Sequence, residues 1–573
     1  MISATGTASP EPGSSGRTPG PVRGGSIHSA HAVDRDLLDQ RFLPVEVGLA
    51  ARVGNRGSPG RRSARSRGGL RIEFGRSAHG SSLVCPPAPR PRAGALNPDA
   101  GLLPAGFGIR LDAGTRCSAD GRTLIGGSPM RQLRLSEHAA KLLANLRDGA
   151  PAVSAGARRL GRRLCNAGIA HPAPPTEGLD SGDVTCVVPV RDDPEGLTAL
   201  LASLESNPPG PGWLVVAEDG SRHPDAVAEL ARRANARLIS HPEARGPAAA
   251  RNEGWRAAGT PVVAFLDADV EVGPGWLAPL LAHFADPTVA AVAPRVRAPE
   301  APQGALDRFE RDTSPLDMGA QPSSVAPRRR VRYVPSAAVL FRREALEDLG
   351  GFDEELRLGE DVDLVWRAAA AGWTVRYEPS VVVSHRNRGS WSALARQRFG
   401  YGTSAAALAE RHPQSLAPLE MSPWSLATWA AVALGGRKGI VPALAVTTVA
   451  VGRLHRRLTG GGGAALPEIS RMVLRGQLAA GRHAAVALRR AWLPLLGATA
   501  SWPWGRRLAL AALVLEPLAT WLTRRPALGP LRWTAATLLS DAAYCAGVWR
   551  GALAARSATS LRPRLVRQQP APR

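Results

Sequence analysis

Asp267 and Asp269 close an apolar run, Val-Val-Ala-Phe-Leu at 262–266, and stand one residue apart. Two like charges at alternate positions repel unless a cation or an array of donors compensates them. Binding of a hard divalent metal, Mn2+ or Mg2+, is the chemistry such a pair can do. The same pair would also serve as a solvated strand end or a turn cap. Four further groups carry comparable potential: Pro189-Val190-Arg191-Asp192-Asp193, Glu218-Asp219-Gly220-Ser221, Arg251 within Gly246–Gly254, and Glu360-Asp361-Val362-Asp363. His385 follows the apolar triplet Val381-Val382-Val383 and could complete a metal shell or simply sit as a core or surface histidine.

Strands alternating with helices are what would bring these residues together. The pattern predicts strands over 184–190, 213–217, 237–239 and 261–266, separated by helices over 196–204, 224–234 and 247–257. Strands spaced in this way specify a parallel, doubly wound α/β sheet, and ligands bind such sheets outside the carboxyl ends of the strands. Asp192, Asp219 and Asp267 would then meet on one edge, with Arg251 on a helix that begins near the same crevice.

The ordered set Val187-Val188-Pro189-Val190-Arg191, Glu218-Asp219-Gly220-Ser221, Ala250-Arg251-Asn252-x-Gly254, Asp267-x-Asp269, Gly350-Gly351-Phe352-Asp353-Glu354 and Gly359-Glu360-Asp361-Val362-Asp363-Leu364 resembles glycosyltransferase family 2. The resemblance implies a GT-A, Rossmann-like catalytic domain and inverting transfer from a UDP-sugar. It implies that Pro189, Arg191, Glu218, Asp219, Arg251 and Asp267 bind the nucleotide-sugar, Asp219 at the uracil. It further implies that Asp269, Asp267 and His385 hold the metal, that Asp361 is the general base, and that Glu360 and Asp363 lie on the acceptor side. A carboxylate opposite the leaving group, placed to take the proton of the attacking hydroxyl, is what inverting transfer needs. Two departures stand out. Arg191 occupies a place where the family often has an aromatic residue, and Arg396-Gln397-Arg398-Phe399-Gly400-Tyr401 does not match the Gln-x-x-Arg-Trp pattern of processive synthases.

The flanks differ from this centre. Residues 182–400 carry 25 basic and 30 acidic side chains, residues 1–100 carry 14 and 7, and residues 401–573 carry 22 and 5. Residues 1–103 lack apolar periodicity and are expected to be disordered. Residues 104–175 predict a small unit: strands over 107–111 and 123–125 around Asp120-Gly121, a helix capped by Ser136 and a second over 157–167. This unit resembles the winged-helix-like, PqqD-like domains that bind precursor peptides. With Ser314-Pro315-Leu316-Asp317-Met318-Gly319 it narrows the resemblance to mycofactocin-system members of the family, which implies a small peptide-derived acceptor. The catalytic domain is expected over 182–400.

Residues 401–573 are rich in Trp, Leu and paired arginines rather than polar, which favours an anionic membrane surface over nucleic acid as partner. Their uncharged stretches fall short of the roughly 18–20 residues a span needs, so helices lying in the interface, at the inner face of the cell membrane, are the expectation. Five scattered cysteines without Cys-x-x-Cys spacing fit a cytoplasmic protein. A transferase of lipid-linked or cell-envelope glycans and an inactive peptide-binding scaffold are the alternative functions.

Overall fold

A computed structural model describes Gly48, Leu49 and residues 101–566, apart from 147, 148, 176, 177, 300, 301, 303, 388 and 460–465. The expectation of disorder over 1–103 falls almost wholly outside the described residues. The small unit begins with β1 (Gly108–Leu111), β2 (Arg116–Cys117), β3 (Thr123–Gly126) and β4 (Arg131–Arg134), followed by α1 (Glu137–Leu146), α2 (Ala155–Asn166) and β5 (Ala170–Ala173). The turn at Asp120-Gly121 joins β2 to β3, whereas β1 pairs antiparallel with β5, about sixty residues on. This corrects the expectation that β1 and β3 flank that turn. Leu124, Leu143, Leu146, Leu160 and Leu164 form its core.

The catalytic sheet is built from β6 (Val184–Val190), α3 (Pro194–Ser206), β7 (Trp213–Asp219), α4 (Pro224–Arg233), β8 (Arg237–His241), α5 (Pro247–Arg256) and β9 (Val262–Leu266). It continues through β10 (Val270–Glu271), β11 (Val289–Arg297), α6 (Ala305–Thr313), β12 (Ser323–Val325), β13 (Ala338–Arg342), α7 (Arg343–Leu349), α8 (Glu360–Ala370) and β14 (Thr374–His385). Strand order is β10-β14-β11-β13-β9-β6-β7-β8, with β12 also on β14. Strands β9, β6, β7 and β8 are parallel, as the spacing predicts. The sheet as a whole is mixed, because β13 inserts antiparallel between β9 and β11. An apolar strand such as Ala-Val-Leu-Phe-Arg carries no mark of its direction, so the expectation of an all-parallel sheet is corrected here. Alternate residues of β6 face opposite cores: Cys186 and Val188 pack with Leu197, Leu200 and Trp276, while Val187 packs with Trp255, Phe265 and Phe341.

Beyond the sheet the chain is helical. Helix α9 (Trp391–Arg411) is followed by α10 (Pro423–Gly435), α11 (Ile440–Thr459), α12 (Leu466–Arg490), α13 (Leu493–Ala498), α14 (Pro503–Leu510), α15 (Glu516–Arg524) and α16 (Pro530–Ala554). Helix α9 lies against α16 at glycine contacts: a Cβ on Gly402 would sit 2.2 Å from the Tyr544 carbonyl oxygen, and one on Gly547 2.0 Å from that of Phe399. By length and composition Pro423–Arg456 is the one run among the described residues that could cross a bilayer. Within it the chain turns at Gly436, where φ is 55°, and α10 folds onto α11.

Candidate active site

Three strand ends and one helix start converge on the carboxyl edge of the sheet. Because β11 and β14 run the same way as β9, His385 at the end of β14 reaches the edge that Asp267 occupies. The two-residue strand β10 completes the approach, Val270 pairing with His385 and Glu271 with Ser384. One ligand atom each from Asp267, Asp269 and His385 lies within 4.8 Å of the others, and His385 Nε2 is 3.3 Å from Asp269 Oδ1. Two carboxylates and an imidazole form an oxygen-rich donor set suited to Mn2+ or Mg2+.

Arg251 links this wall to the opposite one. It is 4% exposed; its Nη2 donates to Asp267 Oδ1 at 2.6 Å and its Nη1 to Glu360 Oε1 at 3.0 Å, with the guanidinium over the Phe352 ring. Two carboxylates raise the arginine's pKa although burial acts against the charge. Neighbouring turns are shaped by glycine: Gly351 has φ of 75°, and a Cβ there would come within 2.5 Å of Asn252 Oδ1, which accepts the Phe352 amide. Gly254 likewise allows α5 to lie on Val187, 2.2 Å from where its Cβ would stand.

Glu360 and Asp361 begin α8 immediately after Gly359, whose φ is 86°. Helix N-termini favour anionic groups. Asp361 accepts the amides of Val362 at 2.8 Å and Ser336 at 3.3 Å, and lines a small apolar recess with Val334, Phe341, Phe352 and Val365. Burial raises both carboxyls above the ordinary range, and the charge of Asp361 adds to the rise at Glu360. Asp363 sits elsewhere: its oxygens accept Arg367 Nε and His412 Nε2, both at 2.7 Å, and those partners hold its pKa down in spite of burial. Its recorded contacts tie α8 to the end of α9 and do not include the Arg251 group.

The residues assigned to the base of the nucleotide divide similarly. Asp219 accepts the amides of Arg245 at 2.7 Å and Gly246 at 2.8 Å, and His241 Nδ1 lies 3.3 Å away. Glu218 accepts Ser221 N and Ser240 Oγ at 2.6 Å. Asp219 therefore braces the turn ahead of α5, while Glu218 ties the turn after β7 to β8. Pro189 lies near the end of β6, and Arg191 is an exposed side chain 4.0 Å from Asp192. Sequence reasoning passed over His241, which bridges Asp219 and Glu253, and Ser336, whose backbone amide reaches Asp361. Neither carries a local signal, since both act through tertiary contact. Between α6, α9 and the end of β14 lies a small open recess lined by Glu310, Ser314, Pro315, His385, Asn387 and Gln397.

The family model for glycosyl transferase family 2 matches residues 185–350. A pre-mycofactocin glycosyltransferase of Mycobacterium tuberculosis is 39% identical over 480 residues, which cover 81% of this chain and 98% of the relative. Succinoglycan biosynthesis protein ExoU of Rhizobium meliloti is 33% identical over 207 residues, covering 33% of this chain and 58% of that protein. Among solved structures, the mannosyltransferase PcManGT of Pyrobaculum calidifontis in complex with GDP-Man and Mn2+ is 19% identical with a TM-score of 0.33, covering 61% of this chain and 89% of that one.

Proposed function

The chain belongs to glycosyltransferase family 2 and stands with its pre-mycofactocin members; from that premise we propose that it transfers glucose from a UDP-sugar, with inversion, to a small redox-cofactor precursor made from a ribosomal peptide, building a short oligosaccharide. The observation that carries the reading is the bridge made by Arg251, which sets the Asp267 wall at a fixed distance from the Glu360–Asp361 wall. Asp361 would take the proton of the acceptor hydroxyl as its oxygen bonds to the anomeric carbon and the bond from that carbon to the diphosphate breaks. The helix N-terminus and two amides hold that carboxylate in place, and burial keeps it basic enough to accept the proton. Asp267, Asp269 and His385 would hold a divalent cation, which offsets the charge of the departing diphosphate when bound. Asp219 shapes the turn ahead of α5, and Glu218 beside it the turn after β7, against which the uracil would lie.

A second reading, transfer to a lipid-linked or cell-envelope glycan, is favoured by the exposed leucines of the helical region, among them Leu531 at 83%, and by Trp502 at 53% exposure. An inactive scaffold is disfavoured by intact Asp269 and Asp361. Purified full-length protein incubated with Mn2+, a panel of nucleotide sugars and candidate acceptors, followed by mass spectrometry, decides among these readings. Hexose increments on the peptide-derived molecule support the first, increments confined to lipid extracts support the second, and neither would leave the scaffold.

A further inference from the structure

The small N-terminal unit touches the catalytic domain through a charged, buried contact that the chemistry described above does not use. Arg330 ion-pairs through Nη2 with Asp112 Oδ2, and its amide donates to Ser128 Oγ at 2.6 Å; Arg329 Nη2 donates to the Asn166 carbonyl at 2.9 Å. Asp112 is 5% exposed and also meets His171 Nε2 at 2.9 Å. Burial works against its charge, but His171 and Arg330 hold its carboxyl down at about 2, so it stays ionised.

From Arg330 the chain runs directly to the reacting side chains. The Arg332 carbonyl accepts Trp366 Nε1 of α8 at 2.8 Å, and Tyr333 OH donates to the Pro315 carbonyl at 3.3 Å. Ser336 N–H then donates to Asp361, and the Ala337 carbonyl accepts the Asp267 amide at 2.9 Å. Six steps along the chain lead from Arg330 to Ser336, a reach of at most about 20 Å, and the pins at Arg332 and Tyr333 leave little slack. The segment 330–337 is thus fastened at one end to the small unit and at the other to both walls of the cleft.

We propose that Arg330 is a positioning residue for the transfer reaction: its ion pair with Asp112 sets the segment that presents the Ser336 amide to Asp361 and the Ala337 carbonyl to the Asp267 amide. This rests on the reading of Asp361 as general base. The small unit then acts on the rate of the chemical step and does more than present an acceptor. A contact that only fastened two units together would affect thermal stability or acceptor affinity and leave turnover alone.

The test uses the full chain with Mn2+ and UDP-glucose in single-turnover hydrolysis, where water takes the acceptor's place. Arg330→Ala is expected to lower the rate about tenfold with UDP affinity held within about twofold, and Arg330→Lys to recover most of the loss. Asp112→Asn should reproduce the drop, and the double variant should be no slower than either single one, because both act through one contact. A folded Arg330→Ala protein at the wild-type rate, or additive losses, overturns the proposal. Should that variant fail to fold, Asp112→Asn decides: it keeps the shape of the side chain while removing the charge that Arg330 meets, and an unchanged rate overturns the proposal. Asp361→Asn assayed alongside separates the two claims. If it hydrolyses UDP-glucose at the wild-type rate, the general-base reading fails and this inference with it. If it is inactive while Arg330→Ala is unaltered, the inference alone fails.

Discussion

The sheet domain and the C-terminal helices differ in what they leave outside. In the sheet, Val184, Val188, Val263 and Phe265 are wholly buried, and Asp286, Asp363 and Arg376 are buried with them. Among the helices, Arg489 is 3% exposed between Asp541 at 2.7 Å and Glu516 at 2.8 Å, while Val441, Leu531 and Leu553 stand out at 73%, 83% and 69%. The first arrangement is that of a domain folded against water. The second, with apolar side chains outside and charges paired inside, is the arrangement we propose meets a membrane surface. One chain thus contains a half that turns its apolar strands inward and a helical half that leaves valine and leucine outside while pairing charges within.

Four measurements break or sharpen that contrast. Asp361→Asn keeps the shape of the side chain but cannot take the proton, so single-turnover transfer should fall about 100- to 10,000-fold while calorimetry still shows UDP binding with Mn2+. Asp269→Asn should reverse this pattern by weakening binding of the metal–nucleotide complex. Arg489→Ala leaves Glu516 and Asp541 facing each other without a cation, and should cost about 3–5 kcal/mol in thermal or denaturant unfolding while the transfer rate of the folded fraction is kept. A loss in the other order, with activity falling and stability intact, would mean that the buried arginine serves the cleft.

The third measurement concerns the outer face. Arginine pairs at Arg506-Arg507 and Arg524-Arg525 flank the exposed apolar helices, so membranes isolated from cells are expected to carry the protein, and high salt to release part of it. Protein found wholly in the soluble fraction breaks the contrast, and protein resisting both salt and alkaline washes points to spanning helices. The smallest effect is expected on the pH profile. In the proposed mechanism Asp361 acts only when unprotonated, and burial lifts its pKa, so the rate should fall on the acid side at a pH above the ordinary carboxylate range.

Local pattern carried the parallel half of the sheet, because strands that are apolar throughout and helices with one apolar face differ in period. It did not carry partners. Nothing in Ala338–Arg342 marks it as antiparallel, and nothing in Gly108–Leu111 points to Ala170–Ala173 as its mate. The same limit governs the site. Asp267 and Asp269 were visible as a pair, but the approach of His385 depends on β10 pairing with the last two residues of β14. Asp363 looked equivalent to its neighbours in Glu-Asp-Val-Asp. Helical geometry turns it toward Arg367 one turn on and His412 at the end of α9.

The glycine contacts between α9 and α16 have a consequence for the cleft. Where Gly402 and Gly547 let backbone touch backbone, no flexible side chain lies between the helices to act as a cushion. Helix α9 begins only six residues after His385, so its seat on α16 and the end of β14 are close neighbours along the chain. A side chain forced in at Gly402 or Gly547 would therefore press on the same helix that borders the metal-side wall of the cleft.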